Sequence, residues 1–301
     1  MNLDVKNRLE FTLKKYGISK ASCGRDMGYS SSIISAYCTG NYAGDVEKLE
    51  ANIERWISRQ DRAHKKKKVP VVETSSLKAV MNAIEIAHTE KDIALIIADA
   101  GSGKTTAAKR YAEVNEKTVI YIPVVAGMNK KMLVCEVAKQ LSLETARIPF
   151  NVLVNDVADS LAEKDSLVIL DEADYLKADA LEFCRRLVND LGDSGLVLIG
   201  LPRLKGMILN LKNDHSQLAS RIGVYLPLDG LSKPDARTIA RSVWAECSDD
   251  VVSAMYEISG TDVRTFCKII ERMQNTLIAN NMTVPDTDVV GMAGSMVLRR
   301  R

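Results

Sequence analysis

The sequence predicts an α/β fold with a doubly wound parallel sheet, preceded by a small all-helical domain and followed by further helices. Short apolar runs alternate with amphipathic stretches, which is typical of this fold class. A glycine-rich loop follows the first apolar run, as in phosphate-binding folds. The apolar runs are Ile93–Ala98, Thr118–Ile122, Leu167–Leu170, Leu196–Ile199 and Val224–Leu226. They are continuous rather than alternating, which predicts strands buried on both faces of a parallel sheet.

Helical spacing of apolar residues fills the intervals between these runs. The predicted helices between the strands are Thr105–Glu116, Lys130–Leu141, Val152–Glu163 and Ala178–Leu191. After about residue 230 the pattern becomes entirely helical, and it predicts helices over Lys233–Cys247, Asp249–Ser259 and Asp262–Asn280.

Composition sets broad limits on the class of protein. The chain has 301 residues, 46% of them hydrophobic and 27% charged, which is sufficient for a packed core. No apolar run reaches the roughly 18 residues of a membrane span, and the first residues lack a signal-peptide layout. We therefore expect a soluble, intracellular (cytoplasmic) protein. The six cysteines form no CxxC pair, which argues against a zinc site or a disulfide framework.

The charge is distributed unevenly along the chain. Residues 1–68 hold 14 Lys and Arg against 8 Asp and Glu, although the whole chain carries only +2. Four consecutive lysines precede Pro70 and predict a linker over residues 61–71. The resulting domains are 1–60, the linker, a nucleotide-binding core over 72–228, and a helical lid and tail over 229–301. The basic front end indicates a polyanion-binding segment or, equally well, a solvated helical face with a charged linker.

The loop after the first predicted strand has the chemistry of a phosphate site. Its glycines allow backbone N–H groups to converge on a phosphate at a helix N-terminus. Lys104 can reach the β- and γ-phosphates, and the Thr105 hydroxyl can bind Mg²⁺. The loop departs from the GxxxxGK[ST] pattern by an alanine at its first position, which predicts a slightly altered loop. The predicted nucleotide-binding residues are Ala98, Asp99, Ala100, Gly101, Ser102, Gly103, Lys104, Thr105 and Thr106.

A pair of acidic residues after the third predicted strand supports the same interpretation. The run Leu167–Leu170 ends in Asp171 and Glu172. An aspartate at the carboxyl end of a strand beside the loop can hold Mg²⁺ through its water shell, and Glu172 can act as general base on the attacking water. The alternative is a strand that ends in a solvated acidic turn. Asp174 is predicted to start a helix rather than to bind metal.

The sequence pattern of residues 18–40 is typical of a helix-turn-helix. Cys23 and Met27 lie four residues apart, Gly28 suits the turn, and Ile34 and Tyr37 supply the inward face of the second helix. Gly24 occupies a position where alanine is more usual, which we take as a weakness of the motif.

The second helix of this motif would present Ser31, Ser32 and Ser35 to DNA. None of them reads bases in the bidentate way of Arg, Asn or Gln, so backbone contacts and slight sequence preference are expected. Phosphate contacts are predicted for Lys20, Arg25, Lys65, Lys66, Lys67 and Lys68. A helical module of the same shape that docks protein is the alternative.

With these motifs, residues 72–285 resemble the AAA+ ATPases (ATPases associated with diverse activities). The resemblance implies an α/β P-loop core with a five-stranded parallel sheet, a helical lid, and ATP and Mg²⁺ as cofactors. Leu201 stands where a polar γ-phosphate sensor is expected, which predicts slow hydrolysis. Arg221 matches the arginine that reaches a neighbouring subunit's nucleotide, with Arg203 as a rival, and Arg264 matches the second sensor.

The order of a helix-turn-helix, a basic linker, an AAA+ core and a helical end resembles the family of phage Mu B-like transposition proteins. The Gly101–Thr105 loop, the acidic run that ends in Asp174, and Ser220-Arg221-Ile222 also match. The resemblance implies an ATP-dependent, sequence-nonspecific protein that assembles as a helical filament on double-stranded target DNA. It would deliver that DNA to an integrase-type transposase, and hydrolysis would release it. Candidate DNA contacts in the core are Asn129, Lys130 and Lys131, for which an exposed helix start is the alternative.

Two other functions share the same motifs. A replicative helicase loader or initiator ATPase has the same core. A nucleotide-dependent regulator would use its front module to dock protein. Duplex binding that needs ATP but no consensus site favours transposition, whereas a preference for single strands favours the loader.

Overall fold

The computed structural model describes residues 2–65, 69–210, 217–280 and 282–297. The chain forms two compact units. The first comprises Met1–Val69 with Ile270–Ala293, and the second comprises Pro70–Ile269 with Gly294–Arg301. None of the helices in these described segments is both long and apolar enough to cross a membrane.

Four helices make up the amino-terminal part of the first unit. They are α1 (Leu3–Tyr16), α2 (Lys20–Met27), α3 (Ser31–Thr39) and α4 (Val46–Lys65). Ser19 and Ser30 cap α2 and α3 with their hydroxyls, and Gly28 ends α2 in the left-handed region at φ 78°. Leu9, Ile34, Tyr37, Leu49 and Ile53 are fully buried and form the core of these helices with their neighbours.

Helix α4 continues further than the sequence indicates. It reaches Lys65, so residues 61–65, predicted as the start of the linker, are helical. Trp56 and Ile57 anchor the helix in the core, and Asp61 accepts a 2.6 Å hydrogen bond from the Tyr16 hydroxyl on α1. These contacts outweigh the repulsion between the lysines that begins only at the end of the helix.

Gly24 is required by the local packing of α2. A Cβ on this residue would lie 2.7 Å from the carbonyl oxygen of Tyr29. The backbone of α2 therefore approaches the turn too closely for alanine, which explains the departure from the more usual residue at this position.

The second unit is built on a five-stranded parallel sheet with the order β2-β3-β4-β1-β5. The strands are β1 (Ile93–Ala98), β2 (Val119–Pro123), β3 (Leu167–Asp171), β4 (Gly195–Gly200) and β5 (Ile222–Leu228). All five predicted strands are present, and β1 has the predicted bounds. β1, β3 and β4 are buried along their whole length, as their continuous apolar runs predict.

Helices cover both faces of this sheet, and their apolar residues form two separate core clusters. The helices up to β5 are α5 (Ser75–Thr89), α6 (Lys104–Val114), α7 (Lys130–Gln140), α8 (Phe150–Glu163), α9 (Ala178–Arg185), α10 (Pro202–Leu209) and α11 (Gln217–Ser220). A 3-10 helix spans Ala173–Tyr175. Later helices are α12 (Lys233–Val243), α13 (Asp249–Ser259), α14 (Val263–Ala279) and α15 (Thr287–Ser295).

The predicted helix Ala178–Leu191 is divided into two kinds of helix. It is α-helical to Arg185 and becomes a π-helix over Arg186–Leu191. Arg185 is 2% exposed and its Nη1 donates to Asp190 at 2.7 Å, five residues further along. The wider π turn matches this five-residue spacing, and a buried guanidinium needs such partners.

Candidate nucleotide-binding site

The loop between β1 and α6 offers backbone N–H groups to an anion. Gly101 and Gly103 have φ values of 87° and 89°, which glycine adopts without strain. Helix α6 begins at Lys104 without a side-chain cap, so its first amide groups are free to bind a phosphate. Ala98 is the last residue of β1 and has no left-handed φ, so alanine is compatible with the backbone at this position.

Lys104 is held at the floor of this loop. It is buried, and its Nζ donates to the carbonyl oxygens of Ala98 at 3.1 Å and Asp99 at 2.9 Å. Burial lowers the pKa of the Lys104 ammonium, and the nearby carboxylates of Asp171 and Asp174 oppose that shift. The ammonium is therefore positioned by the backbone, close to two acids, at the place where a phosphate would need a positive charge.

The two acids after β3 have different environments. Asp171 is 2% exposed; its Oδ1 accepts the Glu172 N–H at 3.0 Å, and its Oδ2 accepts the Tyr121 hydroxyl at 2.7 Å. Burial and this hydrogen bond raise the pKa of Tyr121, so the phenol stays protonated. Glu172 has a left-handed φ of 58° and its side chain lines a cleft. The turn thus buries Asp171 and exposes Glu172.

Asp174 makes contacts that the sequence does not reveal. It lies in the 3-10 helix, where its Oδ1 accepts the Leu201 N–H at 3.1 Å and its Oδ2 accepts Arg203 Nε at 2.7 Å. The hydrogen bond to Asp174 raises the pKa of Arg203, whose guanidinium also lies 5.2 Å from the Tyr175 ring centroid. Arg203, the rival candidate for an intersubunit arginine, is therefore paired within its own chain. The pair forms because β3 and β4 are neighbours in the sheet.

These elements surround a cleft of about 390 Å³. Its walls are Ala100, Gly101, Ser102, Gly103, Lys104, Thr105, Thr106, Glu172, Asp174, Tyr175, Gly200, Leu201, Val263, Arg264 and Cys267. The structure thus brings Glu172 and Arg264 together with most of the predicted loop residues. Ala98 and Asp99 contribute through the carbonyl groups that hold Lys104.

The start of α14 is fitted closely to the loop. The Arg264 N–H donates to the Gly101 carbonyl oxygen at 3.3 Å. The Asp262 carboxylate occupies the space that a Cβ on Gly101 would need. This contact places Arg264 against the loop, where a guanidinium can reach a bound phosphate.

The residues of the cleft fit a magnesium nucleotide. Within the part of the chain that the structure describes, the buried Ser102 hydroxyl has no hydrogen-bond partner. A hydroxyl in this position can donate to a ligand atom, and a phosphate oxygen is a suitable acceptor. Thr105 lines the cleft, whereas Asp171 lies behind it, so Thr105 is placed to bind Mg²⁺ directly and Asp171 through water. Bound Mg²⁺ would neutralise charge on the transferred phosphoryl group.

Arg221 lies outside the cleft of its own chain. Its side chain is 56% exposed, and its Nη1 lies 3.5 Å from Asp190 Oδ1. The same aspartate accepts Arg185, which also binds Glu182 and Gln217. Asp190 therefore joins the exposed arginine to a buried charge network.

The predicted DNA-contacting residues of the front module differ in how exposed they are. Lys20, Arg25, Ser31 and Ser32 are exposed, and Ser35 is half-buried. The Ser32 hydroxyl pairs with that of Ser30 at 2.7 Å. Lys66, Lys67 and Lys68 lie outside the described residues, as does the side chain of Lys65. Their contact with DNA stays a prediction.

Two exposed arginines of α4 were not among the predicted DNA contacts. Arg55 and Arg59 line a depression of about 180 Å³ together with Asp26 and Trp56. Arg59 is ion-paired with Asp26 at 3.8 Å. Their four-residue spacing on one helix was the available signal.

The three predicted DNA contacts at the start of α7 differ in whether their side chains already have partners within the chain. The Asn129 side chain caps the helix by accepting the Met132 N–H at 3.0 Å. Lys130 lies 3.0 Å from Asp179, and its hydrogen bond lowers the pKa of that carboxyl group. Lys131 is exposed. Of the three, Lys131 has the geometry most suited to a phosphate contact.

Comparisons with known proteins show what this chain is similar to. Residues 87–208 match the AAA domain family. The Mu-like prophage FluMu DNA transposition protein B of Haemophilus influenzae is 25% identical over 85% of this chain and 90% of its own length. The ATP-dependent target DNA activator B of Escherichia phage Mu is 28% identical over 80% of this chain and 78% of its own. The Aeropyrum pernix ORC2 protein, solved in ADPNP–ADP complexes, has a TM-score of 0.60 at 17% identity and covers 75% of this chain and 69% of its own.

These findings confirm the AAA+ core, with its five-stranded parallel sheet, and the resemblance to Mu B-like transposition proteins. The match to the AAA domain family supports ATPase activity with ATP and Mg²⁺ as cofactors. The assignment of individual residues to steps of the reaction stays a prediction.

Proposed function

We propose that this protein is an ATP-dependent activator of target DNA in DNA transposition. One observation carries the proposal: a cleft built for a magnesium nucleotide lies in a chain that matches target DNA activators over most of its length. The ATP state of that cleft would control how tightly the protein holds duplex DNA.

Within the cleft, each residue has a role that its position supports. Lys104 and the amides of the loop bind the β- and γ-phosphates, and Thr105 and Asp171 hold Mg²⁺. Glu172 polarises the attacking water as general base, because it is exposed to the cleft on a left-handed turn. Arg264, which lies on α14, stabilises the γ-phosphate. Leu201 offers no polar side chain, so we propose slow hydrolysis that DNA and the transposase stimulate.

Assembly would complete the site. Arg221 lies outside its own cleft and is exposed, so it is available to the nucleotide of a neighbouring subunit. We propose that ATP joins subunits into a helical filament and that Arg221 supplies transition-state charge across the interface.

The front module would supply much of the contact with duplex DNA. Its candidate residues carry positive charge and hydroxyl groups rather than base-reading side chains, which favours phosphate contacts without sequence preference. An integrase-type transposase would receive the bound DNA. We place this activity in the cytoplasm of the host cell, on its DNA.

The test measures binding of a fluorescent duplex of random sequence by anisotropy, without nucleotide, with ATP, and with a non-hydrolysable analogue. We expect both nucleotides to raise the affinity at least about tenfold, which is a coupling of about 1.4 kcal/mol. Lys104→Ala should abolish this increase. Lys117→Ala is the control, because it removes one exposed charge from the same unit outside the cleft.

The outcomes separate the candidate functions. Equal affinity with and without ATP would refute the proposal. A strong preference for single strands would instead support a helicase loader. Absence of DNA binding at moderate salt would support a nucleotide-dependent regulator that docks protein.

A further inference from the structure

Tyr121 connects the edge of the sheet to the predicted magnesium ligand. It lies on β2, an edge strand, where it pairs in register with Ile169 of β3. Its hydroxyl donates to Asp171 Oδ2 at 2.7 Å, across the gap between the two neighbouring strands. A side chain from outside the phosphate loop therefore contacts a residue of the reaction machinery directly.

The backbone of Tyr121 is itself held in place. Its carbonyl oxygen accepts a 2.8 Å hydrogen bond from the Gln140 side-chain amide, at the end of α7. Its ring packs against the core cluster beneath α6, and the Lys109 ammonium lies 5.8 Å from the ring centroid. A group fixed on a strand in this way can orient its partner more precisely than a loop residue can.

Both carboxylate oxygens of Asp171 therefore accept a hydrogen bond. Oδ1 accepts the Glu172 N–H and Oδ2 accepts the Tyr121 hydroxyl. The carboxylate cannot rotate without losing one of these bonds, and it is 2% exposed. Its remaining lone pairs can act on the water shell of a metal ion in only one orientation.

We propose that Tyr121 is a positioning residue for the magnesium site. Its hydroxyl fixes the Asp171 carboxylate in the orientation that holds Mg²⁺ beside the nucleotide. The inference rests on the proposed role of Asp171 in metal binding. Hydrogen bonds to metal-binding carboxylates from surrounding residues commonly contribute 10- to 100-fold to metal affinity.

The test is Tyr121→Phe, which removes one oxygen atom and keeps the ring. Binding of a fluorescent ATP analogue is titrated with Mg²⁺, and separately measured in EDTA. We expect the Mg²⁺ concentration for half-maximal effect to rise about tenfold or more. Binding in EDTA should stay within about twofold, because a metal-dependent role predicts no change there. Tyr111→Phe is the matched control, since its hydroxyl pairs with His88 in the same core layer at 3.0 Å.

Two further variants separate the possible explanations: Asp171→Asn, and the double variant that combines it with Tyr121→Phe. If Tyr121 acts through Asp171, Tyr121→Phe should cause no further shift in the Asp171→Asn background. An unchanged Mg²⁺ titration for Tyr121→Phe, with a shifted one for Asp171→Asn, would overturn the positioning role alone. An unchanged titration for Asp171→Asn would overturn the metal role of that residue and this inference with it. Equal losses for Tyr121→Phe with Mg²⁺ and in EDTA would show a structural role only and also overturn it.

Discussion

Replacing Arg185 by methionine should destabilise the second unit substantially. The guanidinium is 2% exposed and binds Glu182 and Asp190, each at 2.7 Å. Removing one partner of a buried ion pair costs about 3–5 kcal/mol, because a buried charge is left unpaired. Here the carboxylates keep other partners, since Glu182 also accepts the Leu218 N–H at 3.1 Å and Asp190 also lies near Arg221. We therefore expect the free energy of unfolding to fall by about 3 kcal/mol, the lower end of that range.

Urea unfolding can assign this loss to the second unit. The chain has two tryptophans, Trp56 in the first unit and Trp244 in the second. In a Trp56→Phe background, tryptophan fluorescence reports on the second unit alone, which matters because chains with two units often unfold in more than one step. With a slope of about 3 kcal/mol per molar urea, Arg185→Met should lower the midpoint by about 1 M.

Arg221→Ala is the control for this measurement. Its side chain is 56% exposed and lies 3.5 Å from Asp190, so its removal should cost less than about 1 kcal/mol. A midpoint for Arg185→Met within about 0.3 M of the parent would refute the argument, because the buried charges would then not depend on that guanidinium.

Three further predictions concern the reaction and assembly. Glu172→Gln should bind ATP with unchanged affinity but lose turnover by a factor of about 10² or more, measured as phosphate release; loss of nucleotide binding would show that its role is misassigned. Arg221→Ala should leave ATP binding by monomers intact and reduce turnover on DNA, and mixing it with Lys104→Ala protein should restore activity if each variant supplies what the other lacks. Gly101→Ala should weaken ATP binding at least about tenfold in a fluorescent-analogue titration, because its φ of 87° and the Asp262 carboxylate both exclude a Cβ; unchanged affinity would contradict this.

Local patterns predicted much of the scaffold and of the phosphate loop. The bounds of β1 and α13 agree with the structure, since continuous apolar runs and capped amphipathic stretches specify them without distant partners. The identities of Lys104 and Thr105 as cleft residues followed from the chemistry of the loop alone.

The remaining features depend on contacts between distant parts of the chain. Tyr121 is separated from Asp171 by 50 residues, so only the pairing of β2 with β3 shows their hydrogen bond. The pair of Asp174 with Arg203 needs β3 and β4 to be neighbours. The reason for glycine at position 24 could not be predicted, because residue preferences do not reveal how closely two backbone segments approach.

The π-helix has an evolutionary consequence. A π turn contains one residue more than the α turn that would otherwise continue the helix. Deleting a single residue such as Asn189 would convert Arg186–Leu191 to an ordinary helix and leave Arg185 and Asp190 four positions apart, the spacing at which helical side chains face each other. The ion pair between Arg185 and this aspartate would therefore survive the deletion. Chains that differ by one residue in length at this point can therefore share the same junction between the buried arginine and its acidic partner.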